Sequence, residues 1–299
     1  MVEAAPKALG SSTAFTIKSL LVPLLTRPRV AQLIKWTVYL ALLVNFGIYI
    51  YDDWWAYKNA VAPDAPWSEI FEQFSTTIDM AAWLGLVFLF ELETYALPDE
   101  AFKTWVTRTI HAARIVCYLA VFYAAYGYTA IAFDYYDLTD LPELTHLCQV
   151  ADQGTSLQLD TVRYSKVTSE NCAHISAGAP FYRTGEDVSI IDAPTLAHVQ
   201  WQSWVDVVNA YVWLIVVFLI EVEVRIQSAD RFGSRSLKAV RQSKTAFYGV
   251  LIINGFIWAV SGYPMYAWDA FLWIFGFWAI ELNLAEWEQE RARELAFAE

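Results

Sequence analysis

Histidine and cysteine are scarce in this chain, four and three among 299 residues. Three cysteines cannot build a disulfide-dense scaffold. A membrane b-type haem needs histidines on its helices, and only His111 lies near an apolar run, at its end. His146, His174 and His198 share one polar segment at spacings that match no metal signature, so they are read as solvated loop side chains. Basic residues are also few, 20 Lys and Arg against 32 Asp and Glu. The net charge of −12 excludes a nucleic-acid partner, which requires clustered cations on one face. A glycine-rich phosphate loop, a nucleophile elbow and a His-Glu-x-x-His helix are all missing. The chain is therefore read as non-enzymatic and without a cofactor.

Charge itself is thin, at 17% of residues, while 57% are hydrophobic and 16% aromatic. A soluble domain has about half apolar and a quarter charged residues, so both departures point to lipid. Crossing the hydrocarbon core takes about 20 mostly apolar residues in a helix, which satisfies its own backbone. Six runs approach that length: Ile34–Tyr51, Thr76–Leu97, Thr109–Phe133, Ser203–Val224, Thr245–Tyr263 and Ala267–Ala285. Basic residues concentrate on one side of this arrangement, and only Lys58, Arg163, Lys166 and Arg183 fall on the other. That places both termini in the cytoplasm of a multi-pass cell-membrane (inner-membrane) protein. The apolar stretch Leu20–Leu25 is short and followed by Arg27 and Arg29, so it reads as a retained segment lying on the membrane.

Cys148 and Cys172 lie in the one large outer segment, on the oxidising side, and are expected to pair. Cys117 falls within the third span and reads as a small packing residue.

An internal repeat organises the spans. Asp79, Trp83, Phe88 and Glu91 recur as Asn209, Trp213, Phe218 and Glu221, then as Asp269, Trp273, Trp278 and Glu281, with identical spacing. Odd spans carry Arg29, Lys35 and Tyr39, then Arg108, Arg114 and Tyr118, then Lys238, Lys244 and Tyr248. The predicted fold is an all-α integral membrane protein of six transmembrane helices in three tandem parallel hairpins, a pseudo-threefold bundle. Its parts are a cytoplasmic segment 1–33, hairpin 34–97, a second hairpin 98–133 with 201–225, an outer insertion 134–200, hairpin 226–288 and a cytoplasmic tail 289–299.

The repeat sets acids and bases at one depth, so Lys35–Glu91, Arg114–Glu221 and Lys244–Glu281 are expected as structural charge pairs, with Glu93 and Glu223 at the interface. Asp79 and Asp269 lie further out, where the odd spans offer no basic partner. Intramembrane ionisable groups commonly mark ion pathways. Asp79, Asn209 and Asp269, with Asn45 and Asn254, are the candidate pathway. The outer face carries 15 acidic residues against 4 basic, which favours monovalent cations or protons. The expected function is an ion channel or ion-coupled transporter selecting cations. Its rival is a non-catalytic scaffold or accessory subunit of a larger membrane complex, favoured by the lack of helix-breaking Pro or Gly pairs within the spans. The bilayer is the expected partner, together with further copies of the chain or subunits of a membrane complex.

Overall fold

The structure, a computed structural model, describes residues 28–92, 104–184, 189–228 and 234–277. It is mostly helical. Helix α1 spans Pro28–Ala60, α2 Trp67–Gln73, α3 Ser75–Glu91 and α4 Thr104–Asp134. A small sheet of five short strands follows, then α5 (Ala193–Ser228), α6 (Ser234–Val260) and α7 (264–277). Among the described residues, four helices are long and apolar enough to cross a membrane, and five are if α2 and α3 count as one bent span. Large apolar side chains face outwards: Val116, Leu119 and Phe122 on α4, and Ile253 and Phe256 on α6, are all more than half exposed. A water-soluble protein would bury such a belt; lipid solvates it.

The helices run past the predicted spans. At 1.5 Å per residue the 33-residue α1 is about 50 Å long, well beyond the roughly 30 Å hydrocarbon core. Polar Asp52, Asp53, Lys58 and Asn59 are thus helical, where the hydropathy pattern placed a loop. The loop begins at Val61 and contains Pro63 and Pro66, the expected turn markers. The sixth predicted span extends beyond the described residues, which stop at Phe277; the segment 1–27, Glu93, Trp278 and Glu281 also lie outside them.

Between α2 and α3 the chain bends by 66° at Phe74. The bend leaves the first amides of α3 without helical acceptors. Asp53 of α1 supplies one: its Oδ2 accepts from Thr77 N at 2.8 Å and from Thr77 Oγ1 at 2.7 Å. The α6–α7 turn is three residues long. Gly262 holds φ +90, and Tyr263 N donates to Trp258 O at 2.9 Å, the bond that closes a helix through a left-handed residue.

The contacts α1–α3, α3–α4, α4–α5 and α5–α6 run around the bundle. Helix α7 packs on α6 through Phe256–Phe271 and on α1 through Tyr49–Tyr266, closing the circuit.

The all-α expectation is corrected by the segment between α4 and α5. Its strands β1 (Thr139–Asp140), β2 (Ser156–Gln158), β3 (Tyr164–Lys166), β4 (Phe181–Thr184) and β5 (Ser189–Asp192) form a sheet in the order β1-β4-β5-β2-β3. Only β2 and β5 pair in parallel. Strands of two to four residues are too short for alternation to register, and β2 and β5 are buried throughout. Leu144, Leu147, Leu157, Val167, Phe181 and Ile190 make a separate small core there. Cys148 and Cys172 are disulfide-bonded beside it, with Cα atoms 4.9 Å apart, as the sequence led us to expect.

Asp192 ties this insertion to α5. Its Oδ1 accepts from Thr195 N at 3.0 Å, capping the helix, and its Oδ2 accepts from Ser176 Oγ at 2.8 Å and Ala177 N at 2.9 Å. Burial alone would raise the carboxyl pKa, but these donors outweigh it and hold it below the usual range. A depressed folded pKa means the stabilisation is present above the unfolded pKa and is lost as pH falls through the folded one. Asp192→Ala should therefore cost about 1–2 kcal/mol near neutrality, and the cost should vanish in strong acid. Thermal melting across pH checks this, and a pH-independent difference would contradict it.

Candidate functional site

Three carboxylates from three helices meet inside the bundle. Asp79 of α3, Asp206 of α5 and Asp269 of α7 line one cavity of ≈ 100 Å³ together with Asn209. Each acid is held by a donor. Asp79 Oδ1 accepts from Trp83 Nε1 at 3.0 Å, one helical turn away. Asp206 Oδ1 accepts from Trp258 Nε1 of α6 at 2.9 Å and from Gln202 Nε2 at 3.3 Å. Asp269 Oδ1 accepts from Asn45 Nδ2 of α1 at 2.6 Å. Among the described residues, no Lys, Arg or His lines the cavity. Acids in such a place are costly unless donors or a cation stabilise them.

The structure thus brings together Asp79, Asn209 and Asp269, and joins Asn45 to Asp269. Asn254 is buried but stands apart from the cavity lining, which corrects its expected place among them. Its offset from the repeat lysine matches that of Asn45, but the neighbouring Gly255 faces Phe271, so this stretch of α6 meets an apolar part of α7. Asp206 was missed. It lies three residues before Asn209, on the same helical face, and supplies the acid that the second repeat lacks at position 209. Thr76 and Tyr266 occupy the same offset in the other two repeats and line the cavity as well. That shared offset was the available signal.

A second, smaller cavity of ≈ 50 Å³ shares Thr76, Tyr128, Asp206 and Tyr266 with the first and extends towards the sheet. Thr161 and Val162 of the β2–β3 turn line its far side. That turn is fixed by Asp160, whose Oδ1 accepts from Val162 N at 2.9 Å and Arg163 N at 2.7 Å, and whose Oδ2 takes the Arg163 guanidinium. Glu72 and Asp53 also reach this second cavity, so acids continue from the sheet end to the centre of the bundle.

Past the acids, the repeated tryptophans close the floor. Trp83 lies 6.1 Å from Trp213 and 6.2 Å from Trp273, centroid to centroid, and Phe277 packs against all three. Beyond this layer comes a set of charge pairs. Lys35 Nζ donates to Glu91 Oε2 at 2.8 Å and Tyr39 OH to Oε1 at 2.6 Å, which explains why Lys and Tyr recur four residues apart.

Of the other two expected pairs, Lys244–Glu281 involves Glu281, which lies outside the described residues, and Glu221 is found on a different base. Glu221 accepts from Arg225 of its own helix at 2.8 Å, and both are largely exposed. Glu223, expected at the interface, is buried and takes Arg241 at 2.6 Å and Lys244 at 2.8 Å. Two positions on a helix point about 200° apart, so only one of the two acids can face α6. The pairing therefore joins α5 to α6.

Glu91→Gln should destabilise by about 1–3 kcal/mol because Lys35 Nζ loses its anionic acceptor, and adding Lys35→Gln should recover part of the loss. Thermal melting of the single and double variants decides, and equal melting temperatures would remove the pair as a strut.

Compared with known proteins, the chain matches no family model, no curated protein and no solved structure.

Proposed function

We propose that this chain conducts cations, or couples their movement to transport, through a six-span bundle of three hairpins with both termini on the cytoplasmic side. One observation carries the reading: acids from three helices converge on a central cavity that no basic side chain lines among the described residues. An electronegative cavity attracts cations and repels anions. Supporting it, the acids continue through the smaller cavity towards the sheet end, and the bend at Phe74 supplies the kind of broken helix from which transporter sites are commonly built. The closed circuit of helices and the meeting of Trp83, Trp213 and Trp273 support the threefold arrangement.

The scaffold reading has an observation of its own. Asp206 and Asp269 already accept hydrogen bonds from Trp258 and Asn45 of other helices, while Asp79 is held by Trp83 of its own helix, so the cluster also serves as a cross-brace between helices. Flux separates the two. Full-length protein in liposomes should pass protons or monovalent cations under an imposed voltage or pH gradient. No flux under either gradient would leave the brace, and with it the scaffold.

A further inference from the structure

The walls of the central cavity say more about its occupant than its charge does. Trp83, Trp213, Trp258 and Trp273 line it, along with Tyr49, Tyr128, Tyr266 and Phe277. The acids are spread around this aromatic wall. Among the described residues no three His, Cys, Asp or Glu side chains stand close enough to hold one metal ion. A dehydrated alkali or divalent ion needs several oxygens converging on a point. Dispersed carboxylates between aromatic rings suit a different cation, one whose separate N–H groups reach separate acceptors while its alkyl part lies against the rings. Asn209 lines the same cavity on α5.

We propose that the central cavity binds small protonated amines in preference to alkali-metal ions of the same charge. The inference rests on the cation reading above and narrows its substrate class. Asp206 on α5, Asp79 on α3 and Asp269 on α7 receive the ammonium group, and the indole wall covers the alkyl group.

The test is equilibrium binding of radiolabelled methylammonium to the full chain in lipid nanodiscs. Saturable binding is expected, displaced by ethylammonium and at least about tenfold less well by potassium or sodium at equal ionic strength. Asp206→Asn should weaken binding by about tenfold while Asp206→Glu retains most of it. Absence of saturable binding in the wild type, or displacement by potassium as effective as by ethylammonium, overturns the proposal whatever the variants do. A correctly folded Asp206→Asn protein that binds methylammonium like the wild type also overturns it. Vesicle flux keeps this apart from the transport reading. Potassium or proton flux without amine binding removes the amine inference alone, whereas amine binding without flux of any cation removes transport and leaves the site.

Discussion

Asparagine in place of Asp206 is expected to reduce cation flux in reconstituted vesicles by about tenfold, equivalent to roughly 1.4 kcal/mol at one step of the path. The combined Asp79→Asn, Asp269→Asn variant should lose more, because it removes two of the three charges that make the cavity electronegative. The fold should survive. An amide has nearly the volume of a carboxyl, and its oxygen can keep the bond from Trp83 Nε1, from Trp258 Nε1 or from Asn45 Nδ2. What changes is the charge, and charge-assisted hydrogen bonds are the stronger ones. Glu221→Gln is the control, since Glu221 lies at the exposed surface with Arg225 and should leave flux unchanged. Melting curves recorded alongside separate lost conduction from lost folding. Wild-type flux in the Asp79, Asp206 and Asp269 triple variant would remove these acids from any path and leave them as braces between helices.

A side chain at Gly127 should lower stability, the more so the larger it is. A Cβ built there would stand 2.0 Å from Ser75 Oγ and 3.1 Å from Ser75 Cβ. Ser75 cannot readily turn aside, being 1% exposed and donating to Glu72 O at the α2–α3 bend. α4 therefore crosses the bend almost backbone to backbone, and only glycine fits. Gly127→Ala should destabilise by about 1–3 kcal/mol, and Gly127→Val by more, through overpacking of a filled interface. Ser75→Ala removes the nearest atom and should recover part of the loss in the Gly127→Ala background. Thermal melting in detergent reads both effects. Gly127→Ala melting with the wild type would mean the helices are free to separate here. Gly85 makes a milder approach on the same helix pair: its Cβ would meet Cys117 Sγ at 2.9 Å, which gives Cys117 its packing role.

Much of this architecture follows from composition and spacing. Apolar runs of helical length dictate membrane helices, because hydrocarbon leaves backbone groups no partner outside the helix. Two thiols in one outer segment dictate the disulfide, and Pro63 and Pro66 mark the turn after α1. The repeat pointed to Asp79, Asn209 and Asp269 as a set, and to the binding of Lys35 by Glu91, because both follow from positions that recur at fixed offsets on helices of fixed pitch.

Tertiary structure decided the rest. Asp206 entered the site although it breaks the repeat, since a cavity is defined by which faces converge and a residue one turn away shares a face. Glu223, not Glu221, took the bases of α6, because the rotation of α5 about its own axis is set by packing against neighbours. The bend at Phe74 and the extension of α1 to Ala60 were settled by Asp53 reaching Thr77, a contact 24 residues apart in sequence. The sheet escaped periodicity because its strands are shorter than the window in which alternation can be seen, and their pairing partners lie far apart in the chain. Sequence set which residues were able to carry charge into the membrane; the angles at which the helices pack determined which of them share one cavity.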